Sequence, residues 1–162
     1  MREYSFAADR PVLHDLQLSR GRKCRERKLL KAKGCRTVLV VDDEPQVRSV
    51  VQQCLTEAGF EVRAAADGRQ ALEMMQSQPR PDAIVLDLLM PVMSGFEVLS
   101  ALRIMPGWAT IPVVVLSAST DYSAEHLGAA ALLQKPFTAA ALAAAVEGAI
   151  GSNRTAGCTR PD

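Results

Sequence analysis

A chain of 162 residues, 48% of them hydrophobic, has enough apolar material for the core of one domain of ordinary size rather than two. Aromatic residues are only 4%, no apolar run approaches a membrane span, and the charged N-terminus lacks the apolar stretch of a secretory signal. The net charge of +1 hides an asymmetry: residues 1–36 carry eleven Lys or Arg against four Asp or Glu, and residues 37–162 carry eight against fourteen.

Residues 1–35 show little hydrophobic periodicity, and the charge run from Arg20 to Lys28 could not bury itself. This part reads as a basic, flexible arm with transient helix around residues 22–33. From Thr37 the pattern alternates. Thr37 to Val41 is an aliphatic run and a candidate buried strand. Asp43-Glu44-Pro45 reads as a helix start, with Asp43 as cap and Pro45 in the first turn. Val47, Val50, Val51, Cys54 and Leu55 fall on one face of that helix, which stops at Ala58-Gly59.

Phe60 to Ala65 gives a second strand, and Asp67-Gly68 opens a second helix with Ala71, Leu72, Met74 and Met75 as its apolar content. Pro79-Arg80-Pro81 ends that helix, and Ala83 to Leu86 is the third strand. A third helix runs from about Gly95 to Met105 and breaks at Pro106-Gly107, before a fourth strand at Val113 to Leu116. A short helical segment near Ser123 to Leu127 precedes a brief fifth strand, Ala131 to Leu133. An Ala-rich helix capped by Thr138 extends to Ile150, and residues 151–162 read as a polar tail. Five β/α units in strict alternation imply an α/β fold: a doubly wound, five-stranded parallel sheet of order 2-1-3-4-5, flavodoxin-like, with residues 36–150 as its domain.

In that order strands 1 and 3 meet at the topological switch point, where ligands bind beyond the carboxyl ends of the strands. The polar residues fall there. Asp42 and Asp43 follow strand 1, Asp87 follows strand 3, Ser117 follows strand 4 and Lys135 follows strand 5. Three converging carboxylates call for a cation, and Mg²⁺ prefers such oxygen ligands. A carboxylate beside it can attack phosphorus, with a lysine and a hydroxyl left to bind phosphoryl oxygens. Each residue alone has a plainer reading: Asp43 a helix cap, Asp87 a turn former, Ser117 a strand-end hydroxyl, Lys135 a surface charge. Found together at four strand ends, they outweigh those readings.

The stretches 38–45 (Val-Leu-Val-Val-Asp-Asp-Glu-Pro), 84–96 (Ile-Val-Leu-Asp-Leu-Leu-Met-Pro-Val-Met-Ser-Gly-Phe), 112–118 (Pro-Val-Val-Val-Leu-Ser-Ala) and 134–137 (Gln-Lys-Pro-Phe) closely resemble the receiver domain of two-component response regulators. The resemblance covers about residues 36–150. It implies that Asp87 is the phosphoacceptor and that Asp42, Asp43, Asp87 and the Leu89 backbone carbonyl hold Mg²⁺. Ser117 would be the switch hydroxyl, and Ser117, Ala118 and Lys135 would bind the phosphoryl group. A cis bond is expected between Lys135 and Pro136, and Gly95 belongs to the turn after the active-site loop. Leu132 stands where the family usually has Tyr or Phe, which puts ring-swing coupling in question. Lys135 comes eighteen residues after Ser117, about one helical turn closer than is usual, consistent with a shortened fourth helix.

By the same resemblance the phosphoryl donor is a sensor histidine kinase or histidine phosphotransfer protein, and the signal passes to a downstream protein partner or by relay. The expected protein is a cytoplasmic, stand-alone phosphoacceptor without an output domain, and not an enzyme beyond slow self-phosphorylation and self-dephosphorylation. Two other readings stand beside it. The basic arm could bind nucleic acid or another anionic surface under receiver control. A phosphatase on a similar aspartyl-phosphate plan would need a second acid two residues past the nucleophile, and Leu89 cannot supply it. Cys24, Cys35, Cys54 and Cys158 contain no CxxC pair and read as reduced thiols. His14 and His126 lie in no donor-helix pattern, and Trp108 reads as partial cover for the core.

Overall fold

The computed structural model describes residues 36–156, with side chains as far as residue 152. The expectations for the basic arm, for Cys24, Cys35, Cys158 and His14, and for residues 157–162 lie outside the described residues.

Ten elements alternate along the described chain: β1 (Thr37–Val41), α1 (Pro45–Glu57), β2 (Glu61–Ala65), α2 (Gly68–Ser77), β3 (Ala83–Asp87), α3 (Gly95–Ile104), β4 (Val113–Ser117), α4 (Ala124–Leu127), β5 (Ala131–Gln134) and α5 (Ala139–Ala156). All strand pairs are parallel, in the order β2-β1-β3-β4-β5. The expected doubly wound sheet is therefore present.

Aliphatic runs become strands here because both sheet faces are covered, so successive side chains go to two different cores. Leu39, Val41, Ile84, Leu86, Val113 and Val115 face one side, packed with Ala71 and Met75 of α2 and Val98, Leu99 and Leu102 of α3. Val38, Val40, Val85, Val114 and Leu116 face the other, against Val51 and Leu55 of α1 and Leu142, Val146, Ala149 and Ile150 of α5. Trp108 and Leu132 pack partly buried on the first core.

Strands β3, β4 and β5 each run one residue further than expected, and four other details differ. Asp43 is not the cap of α1; Glu44 occupies that position without a side-chain cap bond, which leaves Asp43 available to the sheet edge. Val50 is exposed rather than on the buried face, because α1 buries only the stripe through Val51 and Leu55. Phe60 precedes β2 and is tied back to α1 through its N–H to the Leu55 carbonyl (3.0 Å). The final helix continues past Ile150 to Ala156, with the Ser152 hydroxyl bonded to the Gly148 carbonyl, so the polar composition of 151–156 does not end it.

The fourth helix is short, as expected. One turn, Ala124–Leu127, lies between the Ser123 cap and Gly128, which adopts a left-handed conformation at φ 59°. His126 is exposed, its ring bonded to the Ser123 hydroxyl.

Candidate acidic site at the carboxyl edge of the sheet

β1 and β3 are neighbours in register, Val41 opposite Leu86, so the residues that follow emerge side by side. Asp42 and Asp87 are buried, while Asp43 is half-buried. One carboxylate oxygen from each of the three lies within 4.8 Å of the other two. The cluster is built by backbone geometry. Asp42 keeps a ladder contact, its N–H to the Ala65 carbonyl (3.3 Å), and its Oδ1 accepts the Glu44 N–H (2.9 Å), which fixes the turn into α1.

Across the site, Lys135 leaves β5 and places Nζ 3.2 Å from Asp42 Oδ2 and 3.1 Å from Asp87 Oδ1. Its backbone N–H bonds the Ser117 carbonyl (2.8 Å), and the Lys135–Pro136 bond is cis. One ammonium thus serves two buried carboxylates, with Asp43 adding a third negative charge. Burial pushes the Asp87 carboxyl above its ordinary value; the hydrogen bond and charge of Lys135 oppose this, and Asp42 and Asp43 reinforce it. Burial would pull Lys135 down, yet Asp87 and Asp42 together hold it above its ordinary value.

Ser117 ends β4 buried, but its hydroxyl is engaged locally, donating to the Ser119 carbonyl (3.2 Å) and accepting the Ser119 N–H (3.1 Å). Ala118 is exposed in the turn that follows, and the Leu89 side chain is 66% exposed. The structure therefore gathers Asp42, Asp43, Asp87 and Lys135 into one cluster, with Ser117 at the adjoining strand end and Leu132 one strand further out. Gly95 opens α3 directly behind Asp87, its N–H bonded to the Leu88 carbonyl (3.0 Å). A Cβ there would collide with the Asp87 carbonyl oxygen and lie 2.8 Å from Leu88 Cα, so only glycine lets α3 start this close.

Arg48 is a residue that motif reading passes over. Its Nη1 donates to the backbone carbonyls of Asp42 (2.6 Å) and Asp43 (3.2 Å). The one available signal is a cation in the first turn of a helix, where the dipole disfavours it.

Three oxygen donors and an excess of negative charge suit a hard divalent cation of the Mg²⁺ kind. The family model for the response regulator receiver domain matches residues 38–147. The chain is 42% identical over 123 residues to the transcriptional regulatory protein KdpE of Mycobacterium tuberculosis, covering 74% of this chain and 53% of KdpE, so it spans about half the length of that relative. It is 35% identical over 120 residues to a probable chemotaxis protein CheY of Rhizobium etli, covering 71% of this chain and 92% of that protein. Among solved structures, the receiver domain of sensor histidine kinase PA1611 from Pseudomonas aeruginosa, with a magnesium ion coordinated in its active site cleft, is similar at a TM-score of 0.67 and 29% identity. That match covers 73% of this chain and 99% of the PA1611 domain.

Proposed function

Because the chain belongs to the response regulator receiver domain family of two-component systems, we propose that it is a phosphorylation-dependent switch that accepts a phosphoryl group on Asp87. The observation that carries this reading is the shared lysine: Lys135 binds Asp42 and Asp87 at once, beside a third carboxylate from Asp43. Asp42, Asp43, Asp87 and the Leu89 carbonyl would hold Mg²⁺, which would supply charge neutralisation between the carboxylates and an incoming phosphoryl group.

An Asp87 carboxylate oxygen attacks phosphorus of a phosphohistidine on a sensor kinase or phosphotransfer protein, or of a small phosphodonor. The new O–P bond forms as the bond to the imidazole nitrogen breaks, and the freed imidazole takes up a proton. Lys135 then shifts from the Asp87 carboxylate to a phosphoryl oxygen. The Ser117 hydroxyl leaves its contacts to Ser119 and, with the Ala118 backbone, takes another. Leu132, an aliphatic residue in β5, offers no ring to swing, so the β4–α4 segment with its single-turn helix carries the conformational change. The signal passes to a protein partner or by relay to a further histidine.

Leu89 has no group to orient a water, and the Ser119 hydroxyl is committed to Asp121 (2.8 Å). Self-dephosphorylation is therefore slow. Phosphorus NMR of the protein with acetyl phosphate and Mg²⁺ tests both points: an acyl phosphate resonance that persists for minutes or longer supports them. No resonance overturns the function, and a lifetime of seconds overturns only the slow hydrolysis.

A further inference from the structure

Arg48 sits in the first turn of α1, four residues after its Glu44 cap, with its own N–H bonded to the Glu44 carbonyl (2.9 Å). A cation there opposes the helix dipole, and that first turn contains no acidic residue to offset it. The side chain folds back over the helix end, and one nitrogen bridges two consecutive carbonyls, those of Asp42 and Asp43. Hydrogen bonds from an ionised donor are the stronger kind, and the 2.6 Å contact is short enough to be one.

With the Asp42 N–H on Ala65 and the Asp42 side chain on the Glu44 N–H, the Asp42-Asp43 turn is held from the strand side, the helix side and by Arg48. The direction in which the two carboxylates leave the backbone depends on that hold. We infer that Arg48 is a positioning residue: by bridging the carbonyls of Asp42 and Asp43 it presets their carboxylates for a divalent cation. The inference rests on the proposed metal-binding role of those aspartates.

Charge and positioning make opposite demands, which gives the test its sign. Deleting a positive charge next to the Asp42-Asp43 turn would, by electrostatics alone, tighten cation binding. Losing the group that orients metal ligands weakens it, typically by about 10- to 100-fold. Mg²⁺ binding to the full chain is measured by calorimetry at fixed pH and ionic strength for wild type, Arg48→Met, Arg48→Lys and Asp42→Asn. Arg69→Met, a change of the same charge at an exposed position in α2, serves as control.

The Arg48→Met dissociation constant should rise about tenfold, with Arg69→Met unchanged. An unchanged or tighter constant in Arg48→Met overturns the inference. Should Arg48→Met fail to fold by circular dichroism, Arg48→Lys carries the test, since it keeps the charge but gives up the bridge: weaker binding supports positioning and wild-type binding refutes it. If wild type binds no Mg²⁺, or Asp42→Asn binds as well as wild type, the metal-site reading itself fails and Arg48 falls with it.

Discussion

Replacing Asp87 by Asn should stabilise the protein in the absence of divalent cation. Two carboxylates lie within 4.8 Å of the Asp87 carboxylate. At that separation and an effective dielectric near 20, each repels it by about 3.5 kcal/mol. The Lys135 ammonium at 3.1 Å attracts it by about 5 kcal/mol on the same scale. Repulsion therefore exceeds attraction slightly, and burial adds a desolvation cost with the same sign. The Asp87→Asn side chain is isosteric and neutral, so the gain should be about 1–3 kcal/mol, a rise of several degrees in Tm.

The assay is urea unfolding in EDTA at neutral pH, repeated with Mg²⁺ and at lower pH. Because the folded-state pKa of Asp87 is raised, the native state binds that proton more tightly than the unfolded chain. Its contribution favours the native state below the ordinary value of 3.8 and is lost as pH rises through the folded-state value. The advantage of Asp87→Asn should therefore be full at neutral pH and shrink on acidification. Saturating Mg²⁺ should reverse the order, since it binds the wild-type cluster and not a neutral amide as well. An Asp87→Asn protein equal to or less stable than wild type in EDTA would refute this electrostatic account.

Two further outcomes follow from the same site. Lys135→Met removes the ammonium shared by Asp42 and Asp87; the metal-free protein should lose about 1–3 kcal/mol, moderated because the lysine is 25% exposed, and Mg²⁺ should restore part of it, as urea midpoints will show. Gly95→Ala must push α3 off the Asp87 and Leu88 backbone, costing about 1–3 kcal/mol in thermal unfolding and slowing phosphoryl acceptance together; a neutral result on both would mean that the close approach is unimportant.

Much of this arrangement was legible from residues alone. The buried strands β1, β3 and β4 read as aliphatic runs, and Asp42, Asp87 and Ser117 at their ends, with Lys135 just after β5, could be placed at one sheet edge by topology. The single-turn α4 was visible as missing residues between Ser117 and Lys135. What stayed hidden depends on three-dimensional detail. Asp43 and Glu44 both precede Pro45, and only the backbone shows that Glu44 is the cap. Val50 fits the apolar periodicity of α1, but the buried stripe is too narrow to include it. Gly151 and the polar residues after it suggest a helix end, yet the backbone carries on to Ala156. Arg48 looks like a surface charge until its guanidinium is seen on two carbonyls.

Locating the phosphoryl group decides whether Asp87 is the phosphoacceptor. The full chain is incubated with acetyl phosphate and Mg²⁺, reduced with borohydride to convert an aspartyl phosphate to homoserine, digested, and mapped by mass spectrometry beside Asp87→Ala and an EDTA control. Homoserine at position 87 alone, absent from the variant and from the EDTA sample, is the predicted result. Homoserine in place of Asp42 or Asp43, or none in a folded protein, would rule out Asp87 as the acceptor.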